Sequence, residues 1–409
     1  MAIKEFFDIP ARYRTWSMAL MGVGILSVIV GFILYGTGEH HGMRFWASLL
    51  QNSTYFLLVT NAAMFFICAT TLAFGGWQIV FRRVTEAISV AVIPLGIIAL
   101  IVLFACIYLD PHVYHWLNPE KGDKILEGKS AFLNKGFYST WTILTIGLWM
   151  VLGNKMRQLS RELDNNPLPD AEAGRKYIFK NTVWAAIFIV WFALTVMSVT
   201  PWFWLMSIDA HWFSTMYSWY TFASTFVAGM ALITIFVVYL KNQGYLEYTN
   251  EEHIHDLGKF MFAFSIFWTY LWFAQYMLIW YANMPEETIY FNSRITSKSH
   301  SGAYTGLYWF MFCINFIAPI LILMRRGSKR NYTTVTFMAI VIIFGHWLDF
   351  YQMVFASLFP DHVTLNLFDF GVAAGFVGLI MFSTAKALTK APLIAKNHPF
   401  IKESIIHHT

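Results

Sequence analysis

His346 and Asp349 are ionisable side chains near the middle of an apolar stretch, 335–358, that is long enough to cross a bilayer as a helix. Residues three apart share one helix face, so the imidazole and the carboxyl can interact. A charged Asp at mid-membrane costs about 2.5–3.5 kcal/mol and generally marks a proton or ion path. The pair therefore predicts a proton-relay element or the polar end of a quinone pocket. The alternative is a mutually satisfied pair that locks helix packing.

A second candidate face lies in the apolar stretch 260–282, where hydroxyl and aromatic side chains recur at helical spacing. They are Ser265, Thr269, Trp272 and Tyr276. Such a face can carry a chain of waters or line a slot of quinone size, and it can equally be an interhelical hydrogen-bonding face. We take its three hydroxyl residues, together with His346 and Asp349, as candidate proton-path residues.

Ligand sets for a metal or a redox cofactor are missing from the sequence. The three cysteines lie in three different apolar stretches without a Cys-x-x-Cys motif, and His346 alone of thirteen histidines lies deep in a stretch. A bis-histidine haem and an iron–sulfur cluster both need more ligands than this. No phosphate-binding loop, nucleophile elbow or zinc-protease motif occurs. We predict a chain with no metal, no haem or iron–sulfur signal of its own, and no catalysis alone.

These candidates need a helical membrane scaffold, and the composition indicates one. Of 409 residues, 57% are hydrophobic and 12% are charged, which is about half the charge of a soluble domain. A membrane β-barrel would show alternating segments, whereas this chain shows continuous apolar runs. The sequence predicts an all-α polytopic membrane protein, a single integral domain with ten transmembrane helices at about 16–35, 53–74, 87–109, 136–152, 183–204, 215–239, 260–282, 303–324, 335–358 and 368–385.

Lysine and arginine are distributed unequally between the two sides of these predicted spans. With the N-terminus inside, 21 of the 28 basic residues lie in inner segments and 7 in outer ones. Because basic residues concentrate on the cytoplasmic side, we predict a multi-pass protein of the bacterial cytoplasmic (inner) membrane with both termini cytoplasmic. The net charge of +5 then reflects topology and contacts with anionic lipids, and no nucleic-acid surface is expected.

The ten spans are predicted to divide into two groups of four, spans two to five and spans six to nine. Basic clusters after spans four and eight suggest this division, and spans one and ten would flank the groups. Span ten carries Gly371 and Gly375 in a Gly-x-x-x-Gly pattern, which is typical of a close-packing face. Pro201 is expected to bend span five near its outer end.

Three stretches together carry a family resemblance. They read Trp-Thr-Tyr-Leu-Trp-Phe-Ala-Gln-Tyr at 268–276, Trp-Tyr-Ala-Asn-Met-Pro-Glu-Glu at 280–287 and Gly-His-Trp-Leu-Asp at 345–349. The chain resembles the ActF subunits, or quinone-binding subunits 2, of bacterial alternative complex III, a quinol:cytochrome c oxidoreductase. The resemblance implies an NrfD-like fold of two four-helix bundles plus flanking helices. It also implies a sister NrfD-like subunit, an outer-side iron–sulfur subunit and c-type cytochrome subunits as partners, which would hold the iron–sulfur clusters and haem c.

In that family, quinol oxidation is thought to occur in the sister subunit, through a His and an Asp of the first bundle. Spans two to five of this chain hold no such embedded pair, since Asp110 and His112 only cap the outer end of span three. This departure favours a proton-path or scaffolding role and leaves quinone binding by this chain open. The predicted function is a cofactor-free integral subunit of a quinol-oxidising respiratory complex.

Two alternatives belong to different classes of protein. One is a stand-alone secondary transporter, which commonly has paired broken helices at mid-membrane. Here Pro94 and Pro319 interrupt predicted spans that do not correspond in the two groups. The other alternative is a purely structural membrane anchor.

Overall fold

The computed structural model describes residues 5–36, 42–295 and 302–408. Every regular element in these ranges is helical, and ten helical segments are long and apolar enough to cross a membrane. The predicted all-α polytopic fold is thereby confirmed. We number these segments as spans one to ten: Ala11–Tyr35, Met43–Leu72, Gly76–Tyr108, Lys135–Asp164, Ala171–Asp209, Met216–Asn242, Glu251–Ala282, Thr305–Leu323, Tyr332–Leu358 and Leu367–Leu388.

Short helices occupy the connections between spans. Lys124–Lys129 follows span three, Pro285–Asn292 follows span seven, Arg326–Arg330 follows span eight, and Ile401–Ile405 lies near the C-terminus. Asn283 ends span seven in the left-handed conformation, at φ 49°. Pro285 then begins the next helix, where its missing N–H costs nothing.

Several spans extend beyond the apolar stretches that predict them. Span four continues to Asp164 although its stretch ends near residue 152, and span five begins at Ala171 although its stretch begins near residue 183. Hydropathy marks the part of a helix that lies inside the membrane, whereas capping decides where the helix begins. The carboxylate of Asp170, for example, accepts the N–H of Ala173 and so caps the start of span five.

Three spans are irregular near a proline. Span three is divided at Ala91 into the helices Arg82–Val90 and Val92–Tyr108, and Pro94 lies in the first turn of the second. Span five ends in a π-helical segment that contains Pro201, as expected for a proline that removes a backbone donor. Span eight has a similar π-helical segment, Cys313–Ile317, just before Pro319.

The spans form two four-helix groups with the same order of neighbours. Span two packs against spans three and five, and span four packs against the same two. In the second group, spans six and eight each pack against spans seven and nine. Span two also contacts spans six and nine, which joins the groups. Spans one and ten form a separate pair that lies against span two and the first helix of span three.

Burial separates central from peripheral spans. Within the most apolar segment of each helix, 78% of span two and 83% of span six are buried, against 17% of span one. Span one therefore presents most of its apolar surface to lipid, as expected for a flanking helix. Spans two and six contact each other where the two groups meet.

Both ends of the described chain lie on one side of the helices. The backbone N–H of Leu393 donates to the carbonyl of Glu5 at 2.8 Å, and Lys396 Nζ lies 2.6 Å from the Glu5 carboxylate. We call this side the terminal face and the opposite side the distal face. Odd-numbered spans run from the terminal to the distal face, and even-numbered spans run back.

Candidate functional site

Asp349 is the centre of a buried hydrogen-bond network inside the second four-helix group. Its side chain accepts hydrogen bonds from three donors on two neighbouring spans. Tyr220 donates its O–H to Oδ1 in a short bond, while Ser224 Oγ and Trp268 Nε1 donate to Oδ2 at 3.0 and 3.1 Å. Asp349 is only 1% exposed. Charge-assisted bonds of this kind are about twice as strong as neutral ones, so they offset much of the cost of burying a carboxylate.

His346 joins this network through a serine. Its Nδ1 lies 3.0 Å from Ser224 Oγ and 3.8 Å from Asp349 Oδ2, and its ring packs edge-on against Trp268. A hydroxyl has one hydrogen and can also accept, so Ser224 can donate to the carboxylate while accepting from imidazole Nδ1–H. His346 is fully buried and its Nε2 has no hydrogen-bond partner. Ser224 therefore bridges His346 and Asp349 at hydrogen-bond distance, whereas the direct separation of the two side chains is 3.8 Å.

Gly345 lets span eight approach this relay closely. A Cβ added at Gly345 would lie 2.0 Å from Oδ1 of Asn315, a distance that no real side chain tolerates. Asn315 is fully buried, and both polar atoms of its amide lack hydrogen-bond partners. Gly345 therefore permits the close approach of span eight at this point.

A narrow cavity extends from Asp349 toward the distal face. Its volume, counted as space open to water centres, is about 10 Å³, which is what one water molecule needs. It reaches Arg294, in the connection beyond span seven. The cavity is lined by Tyr220, Trp272, Gln275, Tyr290, Phe291, Arg294, Tyr308, Asp349 and Gln352.

Many polar atoms of the cavity wall lack a protein partner. They are Trp272 Nε1, Gln275 Nε2, Arg294 Nε, Tyr308 Oη and Gln352 Nε2. A buried donor left unsatisfied costs about 1–3 kcal/mol, so a cluster of five in one cavity indicates a place where water binds. The Asp349 carboxylate and Arg294 thus line one buried cavity whose polar atoms can bind a water molecule.

Arg294 is a buried cation at the distal end of this cavity. Only 1% of it is exposed, and its guanidinium lies 3.6 Å from the ring centre of Tyr290. Its Nη atoms donate to the carbonyls of Tyr290 at 2.8 Å and Gln352 at 3.0 Å. From the sequence this residue appeared only as one of the basic residues of an outer connection. Nothing in its local sequence distinguishes it, because its burial depends on how the connection folds back over the spans.

Along span nine, the buried polar side chains do not continue beyond His346 toward the terminal face. The buried side chains of span nine on that side of Gly345 are all apolar: Val335, Met338, Ala339 and Ile342. Gly345 lies thirteen positions after Tyr332, which corresponds to about 20 Å of helix. Along span nine, the buried polar side chains therefore extend from His346 toward the distal face only.

The candidate face of span seven has two parts. Ser265 is buried with its hydroxyl unpartnered, and Trp272 lines the cavity. Thr269 and Tyr276 are half-buried at the edge of this face, where Thr269 donates to the carbonyl of Ser265 and Tyr276 packs against Phe291.

The residue of span seven that reaches Asp349 is Trp268, which the sequence interpretation did not select. Ser265, Trp268, Trp272 and Gln275 also recur at helical spacing, and all four are buried. That spacing is the sequence feature from which the role of Trp268 could have been predicted. Two overlapping faces of one helix fit the same hydropathy pattern, and only contacts with spans six and nine distinguish them.

Two hydrogen-bonded pairs of polar residues join neighbouring spans of the first group. Trp204 Nε1 donates to Thr142 Oγ1 at 3.0 Å, and Trp149 Nε1 donates to Thr195 Oγ1 at 3.0 Å. These bonds tie spans four and five together. Among the described residues, no three His, Cys, Asp or Glu side chains converge to hold a metal ion.

No protein-family model matches this chain, and no curated protein matches it. The geometry of the Asp349 network is therefore the main ground for a functional assignment.

Proposed function

We propose that this chain is an integral subunit of a quinol-oxidising respiratory complex and that Asp349 exchanges protons with the outer side of the membrane. The observation that carries the proton role is the buried network: a carboxylate, a hydrogen-bonded connection through Ser224 to His346, and a water-sized cavity on the distal side of the carboxylate. Membership of such a complex is supported by the motif resemblance, whose three stretches include Trp268, His346 and Asp349.

The direction of exchange follows from the distribution of basic residues. The segments that the sequence analysis predicts as inner contain 21 of the 28 Lys and Arg residues, and the described residues of these segments lie on the terminal face. On the positive-inside rule this face is cytoplasmic, which makes the distal face the outer side of a bacterial inner membrane. The cavity at Asp349 then lies on the outer side of the carboxylate.

The three donors around Asp349 have different roles in proton exchange. The indole N–H of Trp268 can donate a hydrogen bond but cannot accept one, so Asp349 Oδ2 remains the acceptor in this contact. The hydroxyls of Tyr220 and Ser224 can both donate and accept. A proton that reaches Oδ1 from the cavity can be accommodated when Tyr220 reverses its hydrogen bond. Ser224 passes the change in hydrogen bonding to His346 Nδ1.

The proposed proton path crosses only part of the membrane, because the buried side chains of span nine on the terminal side of His346 are apolar. A proton that enters from the outer side can reach the middle of the membrane, where it meets about 20 Å of apolar helix. Moving one charge across the full membrane is worth about 2.3 kcal/mol per 100 mV, so a path that covers part of the field still couples to the potential.

Redox chemistry in this proposal belongs to the partners. The resemblance places the iron–sulfur clusters and haem c in the outer-side and cytochrome subunits, and quinol oxidation in the sister subunit. Lipids and these subunits would cover the apolar outer surface of the spans. A transporter is less well supported, because the π-helical breaks lie in spans five and eight, which do not correspond in the two groups.

The test compares Asp349→Asn with Asp349→Leu in membranes that contain the assembled complex. The amide keeps the shape but cannot take up a proton, so Asp349→Asn should lower the quinol-oxidation rate and the protons released per electron with nearly normal complex yield. Leu also leaves three buried donors without an acceptor, so Asp349→Leu should lower the yield as well. Glu286→Gln, an exposed carboxylate of the distal face, is the matched control. If Asp349→Asn equals the wild type in rate and proton release, the chain is a structural anchor and the proton role is wrong.

A further inference from the structure

A long apolar groove lies where the flanking pair, spans one and ten, meets spans six and nine. Its buried wall includes Phe56 and Val59 of span two, and its exposed rim includes Ile340 and Phe344 of span nine. Its volume, counted as space open to water centres, is about 800 Å³, within the range of about 300–1,000 Å³ for pockets that bind organic ligands. The groove shares no lining residue with the Asp349 cavity.

Aromatic contacts join the flanking pair to spans six and nine at both ends of the groove. Near the middle of span nine, the ring centres of Trp347 and Phe370 lie 5.3 Å apart. At the terminal face, the ring centres of Tyr13 and Tyr239 lie 5.4 Å apart, and the Tyr13 hydroxyl donates to the carbonyl of Met381 at 3.1 Å. The groove is the space that remains between these two contacts.

The groove is about as long as one leaflet of a membrane is thick. Its lining residues on span six run from Leu232 to Gln243, and those on span ten run from Phe370 to Met381. Each stretch covers eleven positions, or about 16 Å of helix, which is close to half of a hydrocarbon core of about 30 Å. A partner transmembrane helix would need a groove about twice as long. Acyl chains of a single leaflet match the groove in length and in chemistry.

A cation lies at the terminal end of the groove, at the level of a lipid headgroup. Arg12, in the first turn of span one, is exposed and lines the groove. Among the described lining residues it is the only charged one, so no carboxylate in the groove opposes an anion there. Tyr239 and Gln243 add polar groups beside it, and the indole of Trp16 lies one turn further along span one. A cation and amphipathic rings above apolar side chains are the order of groups that a phospholipid requires.

A quinone fits the groove less well than a phospholipid, because the deep end offers no hydrogen bond to a ring carbonyl. Of the described lining residues at that depth, only Trp347 has a polar side-chain atom, and its Nε1 already donates to Asn52 Oδ1 at 2.8 Å. Its neighbours in the lining, Ile343 and Phe370, are apolar. The deep end therefore suits the end of an acyl chain.

We propose that this groove binds one glycerophospholipid of the leaflet on the terminal side, with its acyl chains along spans six, nine and ten and its phosphate at Arg12. The lipid fills the space between the flanking pair and the two helix groups. The site is independent of the proton role proposed for Asp349.

The experiment uses the purified full-length chain in neutral detergent and a phosphatidylglycerol that carries a photoreactive diazirine at the end of one acyl chain. After irradiation and digestion, mass spectrometry should find the label on the segment of span nine that contains Ile343 and Phe344. Unlabelled phosphatidylglycerol should compete with the labelling, whereas a short-chain ubiquinone should not.

Two variants, each with a matched control, test the two ends of the groove. Ala373→Phe places a ring in the groove and should weaken the labelling of span nine about tenfold. Ala263→Phe adds the same ring at an exposed position of span seven and should label as the wild type does. Arg12→Gln should weaken the apparent affinity for phosphatidylglycerol about fivefold. Arg14→Gln removes an exposed cation that does not line the groove and should not weaken it.

Several outcomes would overturn the proposal. Labelling of exposed spans outside the groove as strong as that of span nine would show only the lipid that surrounds any membrane protein. Competition by ubiquinone equal to that by phosphatidylglycerol would exclude the phospholipid assignment, and equal losses in Arg12→Gln and Arg14→Gln would exclude the position of the phosphate. Absence of label from span nine would contradict the site, and in a protein that elutes as a dimer it would assign the groove to a second copy of the chain. If Ala373→Phe does not fold, the Arg12→Gln titration and the competition still decide.

Discussion

The indole of Trp268 donates its Nε1 hydrogen to Oδ2 of Asp349 across 3.1 Å, and so joins spans seven and nine at the centre of the second helix group. The same indole packs edge-on against His346. Because an indole has no acceptor, this contact holds one carboxylate oxygen as an acceptor and leaves Oδ1, bonded to Tyr220, as the oxygen that can take a proton.

Tyr220→Phe is therefore expected to slow proton exchange without disrupting the fold. The change removes the hydroxyl that contacts Oδ1 and keeps the ring. Loss of a hydrogen bond to a charged group is worth about 1.5–3 kcal/mol, so proton release should slow at least about tenfold. Proton release and complex yield are measured in the same membranes. Tyr138→Phe, a buried tyrosine paired with Tyr114 in the first group, is the control and should behave as wild type.

Arg44 and Asp369 form a buried ion pair that we expect to be important for stability. Two N–H groups of Arg44 donate to the carboxylate, at 3.0 and 2.5 Å, and Asp369 is fully buried. Arg44→Gln leaves this carboxylate uncompensated and should lower the free energy of unfolding by about 3 kcal/mol. Lys176→Gln, which breaks an exposed ion pair with Glu172, should change it by less than about 0.5 kcal/mol. Denaturation in detergent measures both, and equal effects would refute the expectation.

Spans one and ten pack through glycines, and a methyl group there should separate them. A Cβ on Gly375 would lie 2.7 Å from the Cα of Gly24, whereas a Cβ on Gly22 would meet nothing within 4 Å. Gly375→Ala should therefore lower the thermal midpoint in detergent, and Gly22→Ala should not. The partner of the predicted Gly-x-x-x-Gly face is span one of the same chain, since Gly371 contacts Ser27 there. A Gly375→Ala protein as stable as the wild type would show that this contact is dispensable.

His398 should make stability depend on pH on the acid side of neutrality. Burial and two arginines lower its folded-state pKa to about 3, while an unfolded histidine titrates near about 6.5. Between these values the unfolded chain binds the extra proton, so stability is lost as the pH falls below about 6.5. His398→Asn, whose amide can still accept the N–H of Phe400, should show a smaller drop in thermal midpoint between pH 7.5 and 5.5. The exposed His408→Asn should retain the wild-type slope.

The proposed orientation can be tested with single cysteines at exposed positions. Thr215 lies on the distal face, just before span six, and His408 lies near the C-terminus on the terminal face. A membrane-impermeant maleimide added to intact cells should label Thr215→Cys and leave His408→Cys unlabelled until the membrane is opened. Labelling in the reverse order would place the Asp349 cavity on the cytoplasmic side.

Much of the architecture follows from the sequence because the membrane imposes simple rules. Apolar stretches of spanning length, such as that around His346, must form helices, since lipid cannot satisfy exposed backbone groups. All ten predicted spans are present, and the two four-helix groups occur as predicted. The spacing of His346 and Asp349 on one helix was likewise sufficient to indicate a shared site.

The composition of the site depended on contacts between helices that are distant in the sequence. Tyr220 and Ser224 lie more than 120 residues before Asp349, and neither has a local pattern that marks it. In the sequence, Arg294 resembles any basic loop residue. It is buried only because its connection folds over the cavity. Hydropathy determines which segments enter the membrane, and span rotation and packing decide which side chains meet. For this protein the sequence determined the helices and the pair His346 and Asp349. Only the tertiary structure decided which side chains donate to Asp349 and on which side of the carboxylate the cavity lies.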